Sequence, residues 1–121
     1  GASYRQLVEN CEKGFAIGQA SFDDQGRARV MGLNRGLLRI YGEHGSGRLL
    51  GAEMIGPRAE HLAHLLAWAI EMDLTVERAL QMPFYHPVLE EGLRTALRAL
   101  NAALGFGPQP PLRCIDCGPG A

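Results

Sequence analysis

Residues 37–72 read LLRIYGEHGSGRLLGAEMIGPRAEHLAHLLAWAIEM, and the pattern of apolar residues changes character part-way through. Two short apolar runs, 37–42 and 49–55, flank Glu43-His44-Gly45-Ser46-Gly47, a segment rich in residues that tolerate the positive φ of a tight turn. A loop this short joins antiparallel neighbours, since a parallel pair needs a crossover of about a dozen residues. In the second run Leu50, Ala52 and Met54 fall on one face and Leu49, Gly51, Glu53 and Ile55 on the other. Glycine there points to close approach of another backbone. After Ile55 the period becomes helical. Gly56-Pro57 places proline in a first helical turn, and Leu62, Leu65, Leu66, Ala69 and Ile70 recur at helical spacing through Met72. Ala63, Ala67 and Trp68 widen this stripe beyond what one small sheet face needs, so Trp68 and the leucines are assigned to core or dimer contacts.

Outward from this stretch the same two patterns continue. Upstream, 15–22 and 27–33 also read as strands, bounded by Asp23-Asp24-Gln25-Gly26 and Asn34-Arg35-Gly36, which predicts a meander of four antiparallel strands. Residues 4–13 suit a short helix with Ser3 as its N-cap and Gly14 as its stop. Downstream, Thr75 caps a second short helix that stops before Pro83. A third runs from Pro87 to about Leu104 with Leu89, Leu93, Ala96, Leu97, Leu100 and Leu104 along one side, and Gly105 ends it. Strands first and helices afterwards, packed on one side of the sheet, make the fold class α+β.

The chain has 121 residues, one domain's worth, and a net charge of −1 without a basic block, so the electrostatic footprint of a nucleic-acid binder is missing. No run of about 18 apolar residues exists to span a bilayer, and the first residues lack the order of a signal peptide. The three cysteines make no disulfide framework, and a cytoplasmic, reducing setting is the simpler expectation. The organisation predicted is one folded domain over 1–104 and a flexible Gly/Pro tail over 105–121 that carries Cys114-Ile115-Asp116-Cys117.

Candidate chemistry centres on residues 83–92, PFYHPVLEEG. Pro87 disfavours helix at the preceding residue, which keeps His86 outside the helix, near its N-cap. Two readings follow from the residues alone. Glu90 and Glu91 can be the ordinary acidic first turn of a helix, or one of them can orient His86 as the carboxylate orients the imidazole of a triad. A four-residue offset favours Glu90, although the rule weakens if His86 is not helical. His61 and His64 lie three apart on one helix but have no third metal ligand in sight. Cys114 and Cys117 could form a metal or thiol site, while Cys11 reads as structural and His44 as a solvated turn residue.

The order Leu50-Gly51-Ala52, Ile55-Gly56, an Ala-rich helix, then His86-Pro87 with Glu91, resembles the C-terminal dimerisation domain of the pyridine nucleotide-disulfide oxidoreductases, particularly dihydrolipoamide dehydrogenase. The resemblance runs over residues 14–104. It implies a homodimer in which His86 reaches the partner subunit's active site as general acid/base for a dithiol such as dihydrolipoamide, with Glu91 rather than Glu90 orienting it. It also implies a cis His86-Pro87 peptide whose backbone approaches FAD, with NAD(P) as the second cofactor. Val88 stands where Thr is usual, and Phe84-Tyr85 where small residues or histidine are commoner. No Gly-x-Gly-x-x-Gly and no Cys-x4-Cys occur, so flavin, nicotinamide and redox-disulfide sites are expected outside these residues. The chain is accordingly expected to be a fragment of a longer flavoenzyme, inactive alone and with its first interface strand upstream of Gly1. The alternative is a stand-alone dimerisation or metal-binding module that uses the tail cysteines and no flavin.

Overall fold

The computed structural model describes residues 1–107. In chain order the elements are α1 (Tyr4–Asn10), β1 (Phe15–Ser21), α2 (Gly26–Val30), β2 (Leu37–Glu43), β3 (Leu49–Ile55), α3 (Ala59–Glu71), α4 (Val76–Leu80) and α5 (Glu91–Ala103). The strands form one antiparallel sheet in the order β1-β2-β3. The α+β class stands, with three strands where the sequence predicts four.

The missing strand is the 27–33 run, which forms α2 and the turn after it. β2 pairs with β1 directly along its whole length, from Phe15 opposite Glu43 to Ser21 opposite Leu37, and leaves no place between them. Gln25 caps the short helix by accepting from the Ala28 N–H at 2.7 Å. Ala28 is fully buried and Met31 packs on the core, whereas Val30 is 78% exposed. Burial at a spacing of three, with residue 30 outside, is a helical pattern.

Alternation along the strands points Ala16, Gly18 and Ala20 of β1, with Leu38, Ile40 and Gly42 of β2, toward α5. A side chain at Gly18 would place its Cβ 2.2 Å from the Ala96 carbonyl oxygen, so the helix backbone rests directly on the strand. Leu93, Ala96, Leu97 and Leu100 of α5 and Leu62 and Leu66 of α3 complete the core. The register slips between Tyr41 and Gly42, with Tyr41 opposite Gly51 and Gly42 opposite Leu49. One residue of β3 is therefore extra, and Leu49 turns into the core, 2% exposed, off the strict alternation.

Helices α3, α4 and α5 share one side of the sheet, and α1 crosses the opposite face at one end. Ser3 caps α1 in a capping box with Gln6, as its sequence signals. Tyr4 meets the rings of Phe15 and Tyr41 there, and Glu53 accepts from both the Tyr4 N–H and the Tyr41 hydroxyl. The close approach expected at Gly51 is realised against Ala2, whose carbonyl oxygen would lie 1.9 Å from a Cβ at that position. Two helices start later than the sequence predicts. α3 begins after Arg58, which takes a left-handed conformation with φ 52°, and α5 begins at Glu91, not Pro87, so 87–90 forms a turn. Among the described residues no helix is long and apolar enough to cross a membrane.

Candidate functional site

The connection from α4 to α5 carries the residues singled out above. Phe84 packs on the core with the buried Arg94 guanidinium 5.6 Å from its ring centroid, which anchors the segment. The next residue, Tyr85, is 80% exposed. The His86-Pro87 peptide is cis. His86 Nδ1 lies 2.8 Å from Glu91 Oε1, and Glu91 Oε2 accepts from the Val88 N–H at 3.1 Å. Glu91 thus grips the imidazole with one oxygen and the loop backbone with the other.

The carboxylate that meets His86 is the one five residues on. Helical spacing favoured Glu90, but His86 lies outside the helix, where that rule does not operate. Glu91 is the first residue of α5, and Glu90 sits one position earlier, lining an open cleft with Arg27, Arg58 and His61. A carboxylate only accepts, so the shared hydrogen sits on Nδ1 and the neutral ring keeps its lone pair on Nε2. The His86 side chain is 48% exposed against 18% for Glu91, so the ring is held from the protein side and offered on the other. Such an arrangement can take and return a proton at Nε2 for a group brought to the surface.

Sequence reasoning missed Gln25. Its Nε2 donates to the Val88 carbonyl at 2.7 Å while its Oε1 caps α2. The only signal was its place in a turn segment, which says nothing about a partner 63 residues away.

The remaining candidates do not converge. His61 faces Glu60 at 3.6 Å, and His64 sets its ring against Trp68 at 5.8 Å between centroids. No group of three metal-capable side chains occurs among the described residues. Cys11 is half-buried, with Sγ 3.5 Å from the Gly14 carbonyl oxygen. His44 is exposed. Cys114 and Cys117 lie outside the described residues. Trp68 is 68% exposed, which removes it from the core.

The family described as the pyridine nucleotide-disulphide oxidoreductase dimerisation domain matches residues 1–97. The chain belongs to this family. Among proteins similar to this dimerisation domain are the dihydrolipoyl dehydrogenase of Haloferax volcanii, 38% identical over 96 residues, and the mitochondrial dihydrolipoyl dehydrogenase of Rattus norvegicus, 32% identical over 107. The matches cover 78% and 88% of the domain's chain but 20% of each relative, so the chain spans about a fifth of their length. Solved structures of the same fold include the Cu(II) complex of the HOCl-induced flavoprotein disulfide reductase RclA from Escherichia coli, with a TM-score of 0.73 at 21% identity over 81% of this chain and 22% of that one. LpdA from Mycobacterium tuberculosis gives a TM-score of 0.70 at 19% identity, covering 78% of this chain and 20% of that one.

Proposed function

We propose that residues 1–104 form the interface domain of a longer FAD-dependent oxidoreductase of the dihydrolipoamide dehydrogenase type, with 105–121 as a tail. In this reading the domain contributes His86 as acid/base and Glu91 as its orienting carboxylate to the active site of a partner subunit. The observation that carries it is the 2.8 Å contact between His86 Nδ1 and Glu91 Oε1, with the rest of the imidazole facing outward. A site completed by a second subunit accounts for the exposure of this base.

The chemistry needs a thiolate, since the thiol is the poor nucleophile. Nε2 of His86 removes the proton from one sulfur of a dithiol such as dihydrolipoamide, and the thiolate then attacks a disulfide sulfur. Glu91 holds the ring through both proton positions and stabilises the imidazolium that forms. FAD held by the rest of the parent would supply the two-electron acceptor for the dithiol, with NAD(P) as the onward acceptor. In this reading His86 and Pro87 would meet that group through their backbone. The flavin and nicotinamide sites then lie in the rest of the parent, outside the fifth of the relatives' length that this chain spans.

Self-association is the second part of the proposal. Leu65 and Trp68 of α3 and Met72 at its C-cap are 43%, 68% and 73% exposed and lie along one stripe beside the buried Leu62 and Leu66. An apolar stripe of this kind on a dimerisation domain fits a second copy of the chain.

The test is His86→Gln in the full-length dimer. Thiol–disulfide exchange slows by roughly 10²–10⁴-fold, the usual contribution of a positioned acid/base, with flavin content and dimer unchanged. Wild-type turnover in that variant would sink the role given to His86.

A further inference from the structure

We propose that Gln25 is a positioning residue for His86, an inference that rests on the acid/base role above. Val88, two residues after the histidine, has both of its backbone polar groups held by side chains. Its N–H donates to Glu91 Oε2 at 3.1 Å, and its carbonyl accepts from Gln25 Nε2 at 2.7 Å. The two holders come from opposite ends of the domain. Glu91 opens α5, while Gln25 precedes α2 and is 63 residues from Val88 in sequence.

The orientation of the Gln25 amide is forced. Its oxygen accepts from the Ala28 N–H at 2.7 Å, so its nitrogen must face Val88, and a flipped amide would set donor against donor and acceptor against acceptor. Its stem runs close to the start of α5. A Cβ at Gly92 would lie 3.1 Å from Phe22 Cε1 and 3.6 Å from Gln25 Cγ, and Phe22 itself is 1% exposed. The end of β1, the start of α2, the histidine turn and the start of α5 therefore meet at one point, with Gln25 as the polar tie.

This matters because Glu91 divides its two oxygens between the imidazole and the Val88 N–H. If the Val88 peptide turns, Glu91 follows it and Nε2 moves. Gln25 prevents that turn from the carbonyl side. Displacement of a reacting group by about 1 Å is enough to cost up to roughly a hundredfold in rate.

Two substitutions in the full-length dimer separate this from a purely structural role. Gln25→Glu keeps the length and the oxygen that caps α2 but loses the donor to Val88. Gln25→Ser keeps a capping oxygen but is too short to reach Val88. Both are expected to lower kcat for dithiol oxidation by about ten- to a hundredfold, with KM for the nicotinamide, flavin spectrum and dimer unchanged. Combined with His86→Gln, Gln25→Glu should add nothing further, because it acts only through the imidazole. Normal kcat in both variants beside a slow His86→Gln overturns the role of Gln25 alone. So does an effect of equal size with and without His86, or loss of flavin or dimer in both variants. Normal turnover in His86→Gln would instead remove the acid/base reading on which this one rests.

Discussion

Tyr41 shows at the scale of one residue how burial and charge combine on the sheet face that α1 covers. Its side chain is fully buried, and its hydroxyl donates to Glu53. Burial first, then the Glu53 hydrogen bond and charge, push the phenol from 10.0 up to about 12. The folded state thus keeps a proton that the unfolded chain has lost between those two values. The Tyr41 contribution to stability is therefore flat up to about pH 10 and is lost as pH rises through about 12, by about 3 kcal/mol in all. Denaturant unfolding at a series of alkaline pH values checks this, and Tyr41→Phe should flatten the slope. A wild-type slope in that variant would assign the alkaline loss elsewhere. His86 teaches a different lesson at the same scale. That it stands outside the helix was legible from Pro87, but its partner was not legible from spacing, because a turn residue's reach depends on torsions that the helical rule does not describe.

At the scale of elements, the strand–turn–strand–helix order of residues 37–72 was readable because both periods are clean there and the turn is short. The 27–33 run was misread because seven residues with apolar side chains at 28, 30, 31 and 33 satisfy either period. Pairing of β1 with β2 decided the matter, and pairing is not a local property. The packing of α5 on β1 and β2 gives a sharp prediction. A methyl group at Gly18 would lie 2.2 Å from the Ala96 carbonyl oxygen, and the obstacle is helix backbone that cannot rotate away. Gly18→Ala should therefore lower stability by about 1–3 kcal/mol, read as a lower unfolding midpoint, as overpacking does in close-packed cores. An unchanged midpoint would mean that α5 can shift outward without cost. Such a shift would also displace Glu91 at its N-terminus, so the same variant should slow turnover in the full-length protein.

Across the whole molecule, the outward face of α3 is one apolar surface among the described residues that the fold leaves exposed. Leu65, Trp68 and Met72 remain exposed while Leu62 and Leu66 fill the core. Trp68→Asp should weaken self-association of the full-length protein by at least about tenfold, since a charge in an apolar contact must be desolvated. Sedimentation over a concentration series reads this directly, and an unaltered dimer would place the interface on another face. Folding of each subunit should be untouched, because Trp68 makes no core contact.

The sequence by itself determined the class of fold, the family, the helix caps at Ser3 and Thr75, and the position of His86 before a helix. Each of these depends on residues close together in the chain or on an ordered motif. Only the tertiary structure decided that there are three strands, that Leu49 turns inward, and that Gln25 ties the histidine turn to the end of β1. Those features come from groups far apart in sequence whose distances are set by packing. A hydrogen bond between residues 25 and 88 leaves no trace in periodicity or local propensity.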